Sequence, residues 1–215
     1  MNIESLLIHG GIDGDKQTGA VSVPIYQTST YRQNGLGENN GYEYSRTGNP
    51  TREALEKLIS DLEHGYSGLA FASGMAAITA VLTLFKTGDK IILSDNVYGG
   101  TYRVLAKVFQ NFDLNFELVD TSNIESLKNS ITDDVKAIYI ETPTNPLMTI
   151  TDIKKISELA KSKKLLTIVD NTFMTPYLQR PLELGADIVL HSATKYLGGH
   201  SDLVAGLVVV NNKDL

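Results

Sequence analysis

From residue 49 onward the apolar positions fall into two alternating rhythms. In "NPTREALEKLISDLEHG" they recur at 55, 58, 59 and 62, the spacing that gathers side chains on one face of a helix. Pro50 stands near the start of this stretch and Gly65 at its end, so the spacing predicts a helix with defined punctuation. Beyond it, apolar runs of strand length alternate with helical stretches. The order is helix 74–86, strand "KIILS", helix 100–110, strand "NFELV", a short helix near 123–130, strand "KAIYIE" and helix 152–163. Strand "LLTIV", a turn of helix near 181–184, strand "ADIVL" and strand "LVAGLVVV" follow. Strands that read as apolar runs between helices imply a mostly parallel sheet buried on both faces, an α/β fold.

Residues 1–48 break this rhythm. They are rich in Gly, Asn, Thr and Tyr and keep no sustained period, so they are expected to form an extended arm with loops, leaving residues 49–215 as the packed domain.

Composition narrows the function. With 215 residues the chain can bury a sizeable core. Lys plus Arg number 19 against 25 for Asp plus Glu, a net charge of -6 with no long basic run. The diffuse attraction that nucleic-acid binders use is therefore missing. The absence of cysteine removes disulfides, Cys-ligated zinc and Cys nucleophiles together, and fits a reducing compartment. "MNIESLLIHGG" lacks the basic opening and long apolar core of a secretory signal, and "MAAITAVLTLF" is too short to cross a bilayer. A cytoplasmic protein that binds neither membrane nor nucleic acid is expected.

In a parallel sheet, ligands gather at the carboxyl ends of the strands, and four of those ends carry unusual residues. After "LLTIV" come Asp170, Asn171 and Thr172; after "KAIYI" comes "ETPTNP", whose prolines stiffen a loop that holds Asn145. After "KIILS", Tyr98 precedes a Gly pair that opens a helix, and after "ADIVL" the run "HSATKYLGGHSD" sets down Ser192, Thr194 and Lys195. "FASGMAA" adds Ser73, Gly74 and Met75 at a helix N-terminus, where amides and the macrodipole favour a phosphate. Taken singly, each residue has an ordinary account: Asp170 as a turn former, Gly74 for packing, Tyr98 as a half-buried aromatic, Lys195 as a surface charge. His191 and His200 lack the clustered partners of a metal site. No G-x-G-x-x-G or G-x-x-x-x-G-K-[ST] motif occurs, which argues against dinucleotide and P-loop sites. Together the residues suit pyridoxal phosphate (PLP), which needs a lysine for its aldehyde, an acid for its pyridine nitrogen, an amide-lined phosphate cup and a flat group over its ring.

Six motifs in order, "YSRTGNPT", "SGMAA", "YGGTYR", "ETPTNP", "VDNTF" and "HSATKYLGGHSD", resemble the Cys/Met-metabolism family of PLP-dependent enzymes, which includes cystathionine γ-synthases, γ-lyases and β-lyases. The resemblance runs over residues 1–215. It implies a fold-type-I PLP domain with the cofactor carried on Lys195 and Asp170 facing the pyridine nitrogen. It also implies that Ser192, Thr194 and the amides of Gly74 and Met75 hold the phosphate, that Tyr98 stacks on the ring, and that Asn145 reaches the ring oxygen. Lys195, Asp170 and Tyr98 would be the catalytic residues, with Lys195 moving protons and Tyr98 taking one from the incoming amine. By position in the "YSR" motif, Tyr44 and Arg46 would reach the phosphate of a neighbouring subunit, implying a homo-oligomer, a tetramer built from dimers.

Family members continue into a smaller C-terminal domain that supplies an arginine for the substrate α-carboxylate, so the resemblance implies a truncated chain with part of a substrate site. Arg103 and Glu43 resemble the groups with which the γ-enzymes meet the far end of the substrate. Gly99 and Gly100 stand where methionine γ-lyases tend to carry Cys. The expectation is γ-elimination or γ-replacement on cystathionine or an activated homoserine ester. Cystathionine β-lyase chemistry and a non-catalytic PLP-holding or oligomerising role are the alternatives.

Overall fold

Seven strands form one sheet in a computed structural model that describes residues 1–11 and 14–215. The chain opens with helix α1, Ile3–His9, and then carries little regular structure until α2, Pro50–Glu63. The remaining elements alternate: β1 (Ser67–Phe71), α3 (Gly74–Leu82), β2 (Lys90–Ser94), α4 (Gly99–Lys107), β3 (Asn115–Val119), α5 (Ile124–Ser130) and β4 (Val135–Glu141). After these come α6 (Ile153–Ser162), β5 (Leu166–Asp170), α7 (Thr175–Leu178), β6 (Ile188–Ser192) and β7 (Gly206–Val210).

The strand order is β1-β7-β6-β5-β4-β2-β3. β7 lies antiparallel to both β1 and β6, and the other four pairings are parallel. The expected mostly parallel α/β sheet is therefore what forms. Alternation along each strand divides the core between the two faces. Ile91, Leu93, Tyr139, Ile168, Ile188, Leu190 and Val208 pack with Ile78, Leu82 and Leu105 of α3 and α4 on one side. Ile92, Ile138, Ile140 and Val169 pack with Ile153, Ile156 and Ala160 of α6 on the other. Each such side chain contributes about 1.5–3 kcal/mol through burial.

Several boundaries differ from the sequence reading. Helix 74–86 stops at Leu82, because Leu84 and Phe85 bond back three residues in tightened turns. Helix 100–110 closes at Lys107, and Phe109–Phe112 forms a separate 3-10 turn. The left-handed residue that ends α2 is His64 (φ 55), not Gly65. "LVAGLVVV" contributes only Gly206–Val210 to the sheet. Asp170 and Ser192 are the last residues inside β5 and β6 and do not follow them.

Three elements were not expected. α1 lies in the stretch read as an arm without packed structure; residues 12 and 13 of that stretch lie outside the described residues. Asn2 caps α1 by accepting from the Ser5 amide at 3.0 Å. α7 is a single turn. β1 has only Gly68 buried, so it shows no apolar run. Gly68 is there because α2 crosses closely: a Cβ at this position would stand 2.2 Å from the Glu56 carbonyl oxygen. Among the described residues no helix is long and apolar enough to cross a membrane.

Candidate active site

Where β4, β5 and β6 end, a cavity of about 270 Å³ opens between the loops. Its lining includes Gly74, Met75, Tyr98, Asn145, Asp170, Ser192, Thr194 and Lys195. Residues scattered over more than 120 positions in sequence are thus brought together at the strand ends, where ligands of such sheets bind.

The floor is a pair of carboxyls. Glu141 and Asp170 are opposite each other in the β4–β5 register and are 7% and 8% exposed. Burial raises the Asp170 carboxyl above its ordinary range, partly offset by hydrogen bonds from Thr172. Asp170 Oδ1 accepts from the Thr172 amide at 3.1 Å and its hydroxyl at 2.5 Å, while Oδ2 takes only a long contact of 3.4 Å from the Tyr139 hydroxyl. Asp170 is therefore a turn former through one oxygen, and its other oxygen remains weakly engaged. Burial, then the nearby Asp170 charge, push Glu141 up to about 7.

One wall is the N-terminus of α3. Ser73 caps it by accepting from the Ala76 amide at 3.0 Å, which leaves the amides of Gly74 and Met75 without a partner among the described residues. Gly74 lies directly against β6: a Cβ there would meet Ser192 Cβ at 2.8 Å and its hydroxyl at 3.0 Å. The Ser192 amide donates to the Thr172 hydroxyl at 2.9 Å. The Thr194 hydroxyl donates to the Ala205 carbonyl at 3.2 Å and accepts from the Ala205 amide at 3.1 Å, so it is already engaged in a turn. Lys195 is exposed at the cavity rim, and Tyr98 stands half exposed at the start of α4.

Four expected site residues are not in this cavity. Tyr44 and Arg46 line a separate open groove with Tyr26, Gln27, Thr28, Ser29 and Ser45, the Arg46 guanidinium lying 5.0 Å over the Tyr44 ring. Glu43 is exposed and accepts from the Asn39 side chain at 2.7 Å. Arg103 is exposed on α4.

Sequence reasoning also missed residues that the cavity contains. Glu141 and Phe173 line it, as does Thr172, which was noted after Asp170 without a role, and Tyr139 lies fully buried beneath Asp170. Glu141 and Thr172 sit in the very motifs that were singled out, "ETPTNP" and "VDNTF", and their place at strand ends was the available signal. His191, read as a histidine without metal partners, is held in the core by Glu63 of α2 at 2.6 Å. Asn171 also donates to Glu63, at 2.9 Å, and to the Gln179 carbonyl at 2.8 Å.

The donor set fits PLP. A buried carboxyl with a weakly engaged oxygen, two unpartnered helix-terminal amides next to a serine hydroxyl, a flat aromatic and a lysine meet at one cavity. Comparison with known proteins agrees with this arrangement. A family model described as "Cys/Met metabolism PLP-dependent enzyme" matches residues 4–215. The chain is 64% identical to a cystathionine β-lyase of Lactococcus lactis over its whole length and 56% of that protein's. It is 61% identical to a cystathionine γ-lyase of Bacillus subtilis, again over all of this chain and 57% of the relative. The crystal structure of a cystathionine γ-lyase from Lactobacillus plantarum complexed with L-serine superposes with a TM-score of 0.96 at 57% identity, over 99% of this chain and 55% of that one. The chain therefore spans a little over half the length of the relatives it matches, and the expected fold-type-I architecture holds over that part.

Proposed function

Because the chain belongs to the Cys/Met metabolism PLP-dependent enzyme family, we propose that it binds PLP through Lys195 and belongs to an enzyme that breaks or makes the carbon–sulfur bond of cystathionine-type amino acids. The observation that carries this is the convergence of Lys195, Asp170, Tyr98, Asn145, Ser192 and the α3 N-terminus on one cavity. PLP, when bound, supplies an electron sink for bond breaking at the substrate's Cα.

The chain's residues supply the rest. Asp170 would hold the pyridine nitrogen and favour its protonated form, and an opposite charge against it would draw its raised carboxyl back toward ionisation. The amides of Gly74 and Met75 with Ser192 hold the phosphate at the helix N-terminus, and Thr194 joins them once its hydroxyl turns from Ala205. Tyr98 would cover the ring, and Asn145 would orient its oxygen. Lys195 takes the proton from the substrate Cα and returns it where the reaction requires. Tyr44 and Arg46, which miss the cavity of their own chain, serve that of a neighbouring copy in an oligomer.

The first reading within the family is γ-elimination or γ-replacement, with Arg103 and Glu43 meeting the far end of the substrate. The second reading, β-elimination, is favoured by the 64% identity to a cystathionine β-lyase. Borohydride reduction of the PLP-treated chain followed by peptide mapping should find the pyridoxyl group on Lys195; a label elsewhere, or none, overturns the cofactor assignment. Products separate the two readings: from cystathionine the γ route releases cysteine and 2-oxobutyrate, the β route homocysteine and pyruvate.

A further inference from the structure

The last residue of β4 does something its neighbours do not. Both oxygens of the Glu141 carboxylate accept backbone amides from different loops: Oε2 from Tyr98 at 2.6 Å and Oε1 from Asn145 at 2.9 Å. Tyr98 is the N-cap residue before α4, a helix with no side-chain cap hydrogen bond, and Asn145 belongs to the loop between β4 and α6. These two residues are separated by 47 positions and share no direct hydrogen bond in the structure; the buried carboxylate joins them. Charge-assisted bonds to amides are about twice as strong as neutral ones, and Glu141 itself is fixed by parallel pairing with Asp170 of β5, while the ladder to β2 ends two residues earlier at Tyr139.

We propose that Glu141 is a positioning residue that holds Tyr98 and Asn145 together at the cavity in the geometry needed to grip the ring of PLP, leaving the phosphate cup to other groups. The proposal rests on the PLP reading given above. Its logic is one of donor and acceptor counting. An ionised carboxylate offers an acceptor to each amide, whereas the glutamine side chain offers one acceptor and turns two N–H donors toward the other amide. Protonation does the same by converting one oxygen to a donor, and Glu141 lies close enough to neutrality for this to occur in the cofactor-free protein. The titratable groups around it are Asp170 opposite on β5, Tyr139 within β4, Tyr98 at α4 and, on the same cavity, His191 and Lys195.

Two measurements test this. In the unaltered, cofactor-free chain, the amide resonances of Tyr98 and Asn145 should shift together with one midpoint near 7, while that of Thr172, held by Asp170, follows its own carboxyl. Amides that stay silent or move with separate midpoints overturn the proposal. In Glu141→Gln, PLP affinity measured by absorbance titration should fall at least tenfold, while inorganic phosphate, which needs only the cup, should bind within twofold of the parent. Equal losses for both probes, or undiminished PLP binding, overturn it. The amide titration decides the matter if Glu141→Gln does not fold. Failure of the parent to take up PLP on Lys195 would instead refute the cofactor reading, and the titration of the two amides would still report on the Glu141 bridge.

Discussion

Two carboxyls side by side at the ends of neighbouring strands make the site a store of unfavourable charge. Both are raised, Asp170 by burial and Glu141 to about 7 by burial and by Asp170. A carboxyl raised in the folded state binds its proton more tightly there than in the unfolded chain, so stability is greatest below the ordinary carboxylate range and declines as pH rises through the folded value. For Glu141 the window runs from 4.5 to about 7, and the shift is worth about 3 kcal/mol. The lowered carboxyls Asp15, Asp134 and Asp152 titrate below this window. Urea denaturation of the PLP-free chain should therefore show lower stability at pH 8 than at pH 5, and Glu141→Gln should narrow that difference. A pH-independent midpoint would contradict it. At this scale the sequence showed Lys195, Asp170, Tyr98 and Asn145, because hydroxyls, glycines and a lone lysine at strand ends are chemically conspicuous. Glu141 stood at a strand end in a singled-out motif, but its role was not legible, because only the fold brings the amides of two distant loops onto its carboxylate.

Among the elements, α2 is held to the sheet by an interaction its own sequence does not announce. Its apolar face packs Ile59 against Val189, Leu207 and Val209, but Glu63 at its last turn also pairs with His191 of β6 in the core, the two side chains being 0% and 1% exposed. Removing Glu63 leaves the buried groups of His191 and Asn171 without their acceptor, at about 1–3 kcal/mol each. Glu63→Ala should lower the free energy of unfolding in urea by that order, whereas Asp61→Ala, which breaks the exposed Lys57 pair on the same helix, should change it by under about 1 kcal/mol. Similar losses from the two changes would show that the core pair is not what secures the helix. The periodicity of residues 55 to 62 announced α2 because one face of it is apolar. β1 was silent because its register is imposed by β7 and its second residue, Gly68, must stay a glycine to admit α2. α1 was silent because it is only two turns long: Ile3, Leu6 and Leu7 keep helical spacing, but the run is too short to stand out, and its place comes from packing on α2.

At the scale of the whole molecule, the groove of Tyr44 and Arg46 shares no lining residue with the main cavity, which is the arrangement expected if each copy completes another's site. Arg46→Ala should then weaken PLP binding and lower the oligomeric mass seen by light scattering at micromolar concentration, since a guanidinium–phosphate contact is charge-assisted and directional. A PLP-loaded monomer indifferent to Arg46→Ala would refute the shared site. The fold class was readable at this scale because parallel strands buried on both faces leave unbroken apolar runs. The antiparallel edge was not, since which strand pairs β1 depends on a segment far along the chain. That pairing also carries a timetable. β1 is synthesised with Ser67–Phe71, but the β7 residues that must lie against it come only at Gly206–Val210. At ribosomal speeds of about 5–20 residues per second, that delay is on the order of ten seconds. Throughout that interval α2 and β1 have no sheet to join, while β2, β3, β4 and β5 can already assemble among themselves. In the nascent chain α2 and β1 thus wait for a partner strand that the middle strands do not need, and they are the elements that a chaperone would meet unfinished.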